Sequence, residues 1–318
     1  MGTILCLHGF GPAEQEKIRR AAPGRNIVFG RTADIGPDVY RDAEVICGWN
    51  ARVEELCLGE GSKLRWVQTW SAGIDSLPLG RLRERGVLLT DAAGVHSIAV
   101  AETAFAHMLG LTRGIHLAVR SQIAGAWERP SALTELYGKT ALIVGAGAIG
   151  TRIAELARAF GMRTIGIRRT PAPHPAFDRV AGLDGLDAAI AESDYVVNVL
   201  PDTPETRGLF DEARIGLMKP TAFFVNVGRG SAVVTDALVK ALRDRRIAGA
   251  GLDVFEEEPL PAGHPLWELD NVILTPHTAG HTDRLKERVA DLFAANLAIY
   301  LRGETDRLIN LVDYGRGY

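Results

Sequence analysis

Three polar residues of the second half stand where an apolar, strand-like run gives way to a loop. They are Arg229 in Asn226-Val227-Gly228-Arg229-Gly230, Glu258 in Glu256-Glu257-Glu258-Pro259, and His277 in Thr275-Pro276-His277-Thr278-Ala279-Gly280. Ligands of open α/β sheets collect outside the carboxyl ends of the strands, so these positions are candidates for one site. Taken singly, each has an ordinary alternative: a surface ion pair, a solvated acidic loop, a turn. Taken together they supply what reduction of a 2-keto acid requires. A guanidinium binds a carboxylate bidentately and polarises the adjacent carbonyl. An imidazole delivers a proton to the ketone oxygen near neutral pH, and a neighbouring carboxylate favours the imidazolium and holds the ring.

Such a reduction also needs a hydride source, and Gly145-Ala146-Gly147-Ala148-Ile149-Gly150 points to a dinucleotide. The motif is weak alone, but here it follows the strand-like 141–144 and opens the helix-like 151–160. Gly145 permits the tight turn, Gly147 lets backbone approach a pyrophosphate, and Gly150 lets the helix lie on the sheet. The helix start, with Ala148 and Ile149, turns amides toward the phosphates. About twenty residues on, where a carboxylate would signal NAD, the chain has Arg168-Arg169-Thr170, which suits a 2′-phosphate. NADP is therefore preferred over NAD, although paired arginines on a loop are often merely solvated. Gly138-Lys139-Thr140 is not a phosphate loop, because it precedes a strand and Leu133 occupies the place of the required glycine.

These residues need two sheets to hold them. Strand-like runs at 4–7, 27–29, 45–47, 64–70 and 87–90 alternate with charged, helix-like stretches, and a second series runs at 141–144, 164–167, 195–199, 222–227, 249–254 and 272–275. That alternation predicts an α/β fold of two doubly wound parallel-sheet domains, the second with six strands. One long helix is expected over 97–120, with Ile98, Glu102, Phe105 and Leu109 on one apolar face and Glu102 bonded to backbone amides. Another is expected over 282–301, with Leu285, Val289, Leu292, Asn296 and Ile299 on one face, stopping at Gly303 and carrying the chain back to the first domain.

Composition fits this frame. The 318 residues are too many for one usual core, and 47% hydrophobic with 24% charged residues is ordinary for a soluble protein. A net charge of −3 with interspersed signs offers no basic stripe, so nucleic acid is not expected as a partner. No apolar run is long enough for a bilayer span, and the start reads as a strand rather than a signal peptide. Cys6, Cys47 and Cys57 form no paired framework and read as buried free thiols of a cytoplasmic protein. No metal site is expected.

With these motifs in view, the sequence resembles the D-isomer-specific 2-hydroxyacid dehydrogenase family, which includes glyoxylate/hydroxypyruvate reductases and phosphoglycerate dehydrogenases. The matching segments run almost end to end: Ser71-Ala72-Gly73-Ile74-Asp75, Gly94-Val95-His96 through Val100-Ala101-Glu102, the glycine fingerprint, Leu200-Pro201-Asp202-Thr203-Pro204-Glu205-Thr206-Arg207-Gly208, the three catalytic segments, and the tail from Asn310 to Gly317-Tyr318. The resemblance implies a Rossmann cofactor domain at 97–282 and a discontinuous, flavodoxin-like substrate domain at 1–96 plus 283–318. It implies that Arg229 binds the substrate carboxylate and carbonyl, that His277 is general acid in reduction and base in oxidation, and that Glu258, the carboxylate just before Pro259, is its partner. It implies that Asp253 holds the nicotinamide carboxamide, and that Leu200, Pro201, Thr206, Val227 and Gly280 line the cofactor. Backbone amides at Ala72 and Gly73, beside Ser71, would receive the substrate carboxylate. A homodimer through the helix after Ser97 and the arm around Trp127 is implied too.

Departures from the family pattern are His96 where many members have Asn, Arg168 where NAD-using members have Asp, and Trp49-Asn50 where phosphoglycerate dehydrogenases tend to carry a phosphate-binding Arg. Phosphoglycerate is thereby disfavoured, with Arg52 close by. Trp49 and Trp70 are candidates for a pocket wall or for plain core. Two rival functions are a catalytically silent cofactor-sensing protein of the same fold and an α/β-hydrolase with Ser71 as nucleophile. The first should lack one of the three catalytic residues, and the second leaves the fingerprint unexplained and has Thr69 where its elbow wants Gly.

Overall fold

The computed structural model describes residues 2–74, 76–130 and 133–315. Asp75 and the terminal Gly317-Tyr318 of the motifs above lie outside the described residues. The chain forms two compact units, Met1–His96 with Thr282–Tyr318, and Ser97–His281, so Thr282 falls in the first.

The first unit is built on strands β1 (Thr3–Cys6), β2 (Ile27–Phe29), β3 (Ala43–Cys47), β4 (Trp66–Gln68) and β5 (Leu88–Thr90), all parallel, in the order β2-β1-β3-β4-β5. This is the flavodoxin-like arrangement. Its strands are mostly apolar on both faces because both faces are covered. The period of two sends Leu5, Ile46, Val67 and Leu89 into one core and Ile4, Cys6, Val45 and Trp66 into the other. The helix Leu285–Leu301 packs Val289, Phe293 and Leu297 into that second core. A fully buried side chain of this size contributes roughly 1.5–3 kcal/mol. Asn296, fully buried, ties helix to sheet and tail by donating to Gln68 Oε1 (3.0 Å) and the Ile309 carbonyl (2.9 Å). All three cysteines are buried free thiols.

The second unit holds β6 (Thr140–Val144), β7 (Arg163–Ile167), β8 (Arg179–Ala181), β9 (Tyr195–Asn198), β10 (Phe223–Asn226), β11 (Gly249–Leu252) and β12 (Val272–Leu274), in the order β12-β11-β10-β9-β6-β7-β8. Six strands were expected and seven are present. The additional one is β8, the third strand of a Rossmann sheet whose order 3-2-1-4-5-6 is extended here by β12. The order reverses between β6 and β9, and the fingerprint loop leaves β6 at that point.

The single helix expected over 97–120 is two helices, Ser97–Thr112 and Ile115–Ala124, broken where Gly114 adopts a left-handed φ of 62°. Of the expected face, Phe105 is buried and Leu109 packs against the core, but the first half is not part of it. Ala101, Ala104, Phe105 and Met108 meet Ile153, Ala154 and Ala157 of the helix Ala148–Ala159, whereas Ile98 and Glu102 are exposed. Small side chains allow the two helices to approach closely, so the alanine stripe faces the core and the Ile98–Glu102 stripe does not. Among the described residues no helix is long and apolar enough to cross a membrane.

Candidate active site

The fingerprint loop has the shape its glycines suggest. Gly145 sits at φ 111°, where its amide and that of Ala146 donate to the Ile167 carbonyl at the end of β7 (3.0 and 2.9 Å). A Cβ on Gly150 would lie 2.2 Å from the Gly145 carbonyl oxygen, whereas one on Gly147 would meet only open space. Gly147 is the N-cap of the helix Ala148–Ala159, and no side chain caps it. Gly147 and Ala148 are exposed and Ile149 is half-buried. The turn thus leaves backbone and an uncapped helix start facing outward, which fits a pyrophosphate.

At the end of β7, Arg168 is half-buried with its amide on the Ala181 carbonyl (3.1 Å), while Arg169 and Thr170 are exposed. Arg169 lies near Glu205, whose carboxyl is held below the usual carboxylate range by hydrogen bonds to its own backbone amide and to Thr203, with Arg169 adding attraction. After β9, the Thr206 hydroxyl closes the turn by donating to the Pro201 carbonyl (2.7 Å) and accepting from the Thr203 amide (2.9 Å). Leu200 is half-buried and Pro201 exposed, whereas Val227 is buried in the core beneath the loop.

Sequence reasoning missed the asparagine pair that shapes the next loop. Asn198 and Asn226, buried at the ends of β9 and β10, are joined at 2.9 Å, and Asn226 then donates to the Arg229 carbonyl (3.0 Å) and accepts from the Gly228 amide (3.1 Å). Arg229 follows as a half-buried residue in extended conformation, its guanidinium donating to the Gly228 carbonyl (3.0 Å). Gly230 packs so closely on the loop after β11 that a Cβ there would lie 1.9 Å from the Phe255 carbonyl group. The loops bearing Arg229 and Glu258 are therefore in backbone contact.

Glu258 and His277 come together as expected. His277 Nδ1 is 2.6 Å from Glu258 Oε2, and Glu258 Oε1 accepts from the Phe255 amide (2.9 Å). Both side chains line a largely apolar cleft of about 580 Å³ with Phe255, Leu260, Trp267 and Pro276. His277 adopts a left-handed φ of 52°, held by its amide on the Asp253 carbonyl (2.8 Å).

Asp253 is almost fully buried at 1% exposure, and its carboxylate builds the loop that bears His277. Oδ1 accepts from Thr275 Oγ1 (2.6 Å) and the Thr278 amide (3.0 Å), and Oδ2 from the Ala279 amide (3.0 Å). Beneath it, His107 of the helix Ser97–Thr112 places Nε2 3.2 Å from Thr275 Oγ1. Burial pushes His107 down to about 4, with the Asp253 carboxylate opposing the shift. Its signal in the sequence was a lone imidazole on the buried face of an apolar helix, which periodicity alone reads as core.

In the first unit, the Thr69 hydroxyl donates to the Ser71 carbonyl and Ser71 Oγ to the Gly73 carbonyl, both at 2.6 Å. Ser71 is exposed, and Ala72 and Gly73 are half-buried. The Ser71 proton is committed to a carbonyl of its own turn, and among the described residues no hydrogen bond joins Ser71 Oγ to a base of the kind a nucleophile needs.

Residues 105–279 match the family described as D-isomer specific 2-hydroxyacid dehydrogenase, NAD binding domain. A glyoxylate reductase of Pyrococcus furiosus is 39% identical over 261 residues, which span 80% of this chain and 77% of the relative. A D-isomer specific 2-hydroxyacid dehydrogenase family protein from Aeromonas salmonicida superposes with a TM-score of 0.85 at 34% identity, covering 99% of this chain and 100% of the other. A D-isomer specific 2-hydroxyacid dehydrogenase from Xanthobacter autotrophicus Py2, solved in complex with NADPH and MES, superposes with a TM-score of 0.82 at 30% identity over 100% of both chains. The two parallel sheets agree with these likenesses, and the chain belongs to the D-isomer specific 2-hydroxyacid dehydrogenase family.

Proposed function

We propose that this protein reduces a small 2-keto acid, of the size of glyoxylate or hydroxypyruvate, to the D-2-hydroxy acid with NAD(P)H, and prefers NADPH. The observation that carries the reading is the His277–Glu258 pair at 2.6 Å, with the loop of Glu258 packed against the loop that bears Arg229. A reduced nicotinamide dinucleotide held at the turn Gly145–Gly150 would supply the hydride that the keto carbon takes up. Arg229 binds the carboxylate of the keto acid and polarises its carbonyl, which lowers the cost of the developing alkoxide. His277 Nε2, on the side of the ring away from Glu258, gives its proton to that oxygen, and Glu258 holds the ring in place. The turn of Ser71, Ala72 and Gly73 is a further carboxylate-binding element by the same reading. By the same reading Asp253, whose carboxylate binds its own loop, would also accept from the nicotinamide carboxamide.

The preference for NADPH rests on Arg168, Arg169 and Thr170, which offer cations and a hydroxyl where a carboxylate would repel a 2′-phosphate. The NADPH held by the Xanthobacter relative supports it. A homodimer is proposed on the exposed apolar stripe Ile115, Val119, Ile123 and Trp127, the last 92% exposed, and sedimentation at increasing concentration tests it. Three buried free thiols fit a cytoplasmic setting.

Loss of nicotinamide absorbance with glyoxylate, hydroxypyruvate and phenylpyruvate, each against NADPH and NADH, tests the activity. Turnover with at least one keto acid is expected. NADPH binding without turnover of any would favour the cofactor-sensing alternative.

A further inference from the structure

We propose that His107 is a positioning residue for the His277 loop, acting as the first donor in a buried relay from His107 Nε2 through Thr275 Oγ1 to Asp253 Oδ1. This rests on the reading of His277 as the general acid. The direction of the relay follows from counting protons. Thr275 Oγ1 has one, and its 2.6 Å approach to Asp253 Oδ1, an oxygen that also accepts the Thr278 amide, commits that proton to the carboxylate. Oγ1 therefore presents only a lone pair to His107 Nε2 at 3.2 Å, and Nε2 must carry the hydrogen. Nδ1 is then the bare nitrogen, and it is buried without a partner. A second proton would leave a buried N–H with nothing to receive it, and burial opposes the charge in any case. The polarity of the relay stays fixed through the neutral pH range.

The backbone makes room for this arrangement. A Cβ on Gly251 in β11 would lie 2.5 Å from His107 Cβ and 3.0 Å from Nδ1, so glycine at that strand position lets the helix bring the His107 side chain this close to the sheet. The far end of the relay is the carboxylate that grips the Thr278 and Ala279 amides, while the backbone carbonyl of the same Asp253 takes the His277 amide. Loosening Thr275 thus loosens the loop that aims His277.

Imidazole nitrogen NMR on the cofactor-free wild type should find His107 neutral, with hydrogen on Nε2, from about pH 5 to about pH 8. Hydrogen on Nδ1, or a charged ring in that window, would overturn the proposal. His107→Leu should lower kcat about tenfold with NADPH affinity within about twofold, and His107→Gln, which returns a donor near Nε2, should recover most of the loss. Thr275→Val should cost a similar factor, and the double variant little more, because both break one relay. Unchanged kcat in His107→Leu, or losses that multiply, would also overturn it. Should His107→Leu fail to fold, the tautomer and the shifts of the Thr278 and Ala279 amides in Thr275→Val decide. Those NMR readouts need no substrate, so failure of every keto acid would overturn the proposed activity and leave the relay to stand or fall separately.

Discussion

His277 and Glu258 are joined by one short hydrogen bond, Nδ1 to Oε2 at 2.6 Å, and the other carboxylate oxygen is anchored on the Phe255 amide at 2.9 Å. The anchored carboxylate sets the plane of the imidazole and engages Nδ1, so the proposed proton transfer to substrate falls to Nε2. Among the described residues the hydrogen bonds of this pair and those of the fingerprint turn do not meet, so the proposed cofactor binding and proton transfer can be tested apart.

That separation gives the first prediction. His277→Gln keeps a polar side chain of similar reach but cannot donate a proton as imidazolium does. Turnover should fall by on the order of a hundredfold or more, with NADPH affinity within about threefold by fluorescence titration. Turnover equal to wild type would remove His277 from the chemistry.

The cofactor preference is tested at the half-buried Arg168. Arg168→Asp replaces a cation by the carboxylate that bonds a ribose 2′-hydroxyl and repels a 2′-phosphate. The ratio of kcat/KM for NADPH to that for NADH should fall about tenfold or more. An unchanged ratio would show that Arg168 does not face the 2′-position.

Much of this was legible in the sequence, for a physical reason. Parallel strands covered on both faces are continuous apolar runs, so β6, β9 and β10 declare themselves, and chemistry gathers at their carboxyl ends, which is where Arg229, Glu258 and His277 were found. What stayed hidden depended on partners distant in the chain. The edge strand Arg179–Ala181 is short, only its central residue is a large apolar one, and it follows the proline-rich 171–175. On the helix from Ser97 the expected face holds at Phe105 and Leu109 but fails at its first turns, because pattern reading favours large residues such as Ile98, whereas close packing selected Ala101 and Ala104. His107 makes sense only beside Gly251 and Thr275, which lie far along the chain.

A pH-dependent prediction concerns Asp91, which follows β5 in the first unit. It is 8% exposed, and burial pushes its carboxyl up to about 6, with the Ala93 amide on Oδ1 (2.7 Å) opposing. A carboxyl raised in the folded state binds its proton more tightly there than in the unfolded chain. Its ionisation therefore costs stability as pH rises from the unfolded value through about 6. Asp91→Asn keeps the acceptor for Ala93 and removes the charge. It should match wild type in thermal unfolding near pH 4 and gain about 1–3 kcal/mol above pH 7, with the difference opening between those limits. An equal difference at both ends would assign the effect to packing rather than to charge.

Gly230 supplies the prediction that bears most directly on the site's assembly. A methyl group there would sit 1.9 Å from both the carbon and the oxygen of the Phe255 carbonyl and 2.5 Å from the Glu256 nitrogen. These are backbone atoms of the loop that carries Glu258, so no side-chain rotation can relieve the clash, and the two loops must part. Gly230→Ala should destabilise the second unit by about 1–3 kcal/mol, the cost typical of overpacking a closed site. It should also lower kcat/KM more than this loss of folded protein explains, because Arg229 and the His277–Glu258 pair would no longer hold their mutual spacing. Gly147→Ala is the matched control for sterics, since a Cβ there meets open space. It should leave stability within about 0.5 kcal/mol and act, if at all, on cofactor affinity alone. Equal unfolding temperatures and equal kcat/KM for Gly230→Ala and wild type would mean that the two loops are not held against each other, and that Arg229 and Glu258 belong to separate sites.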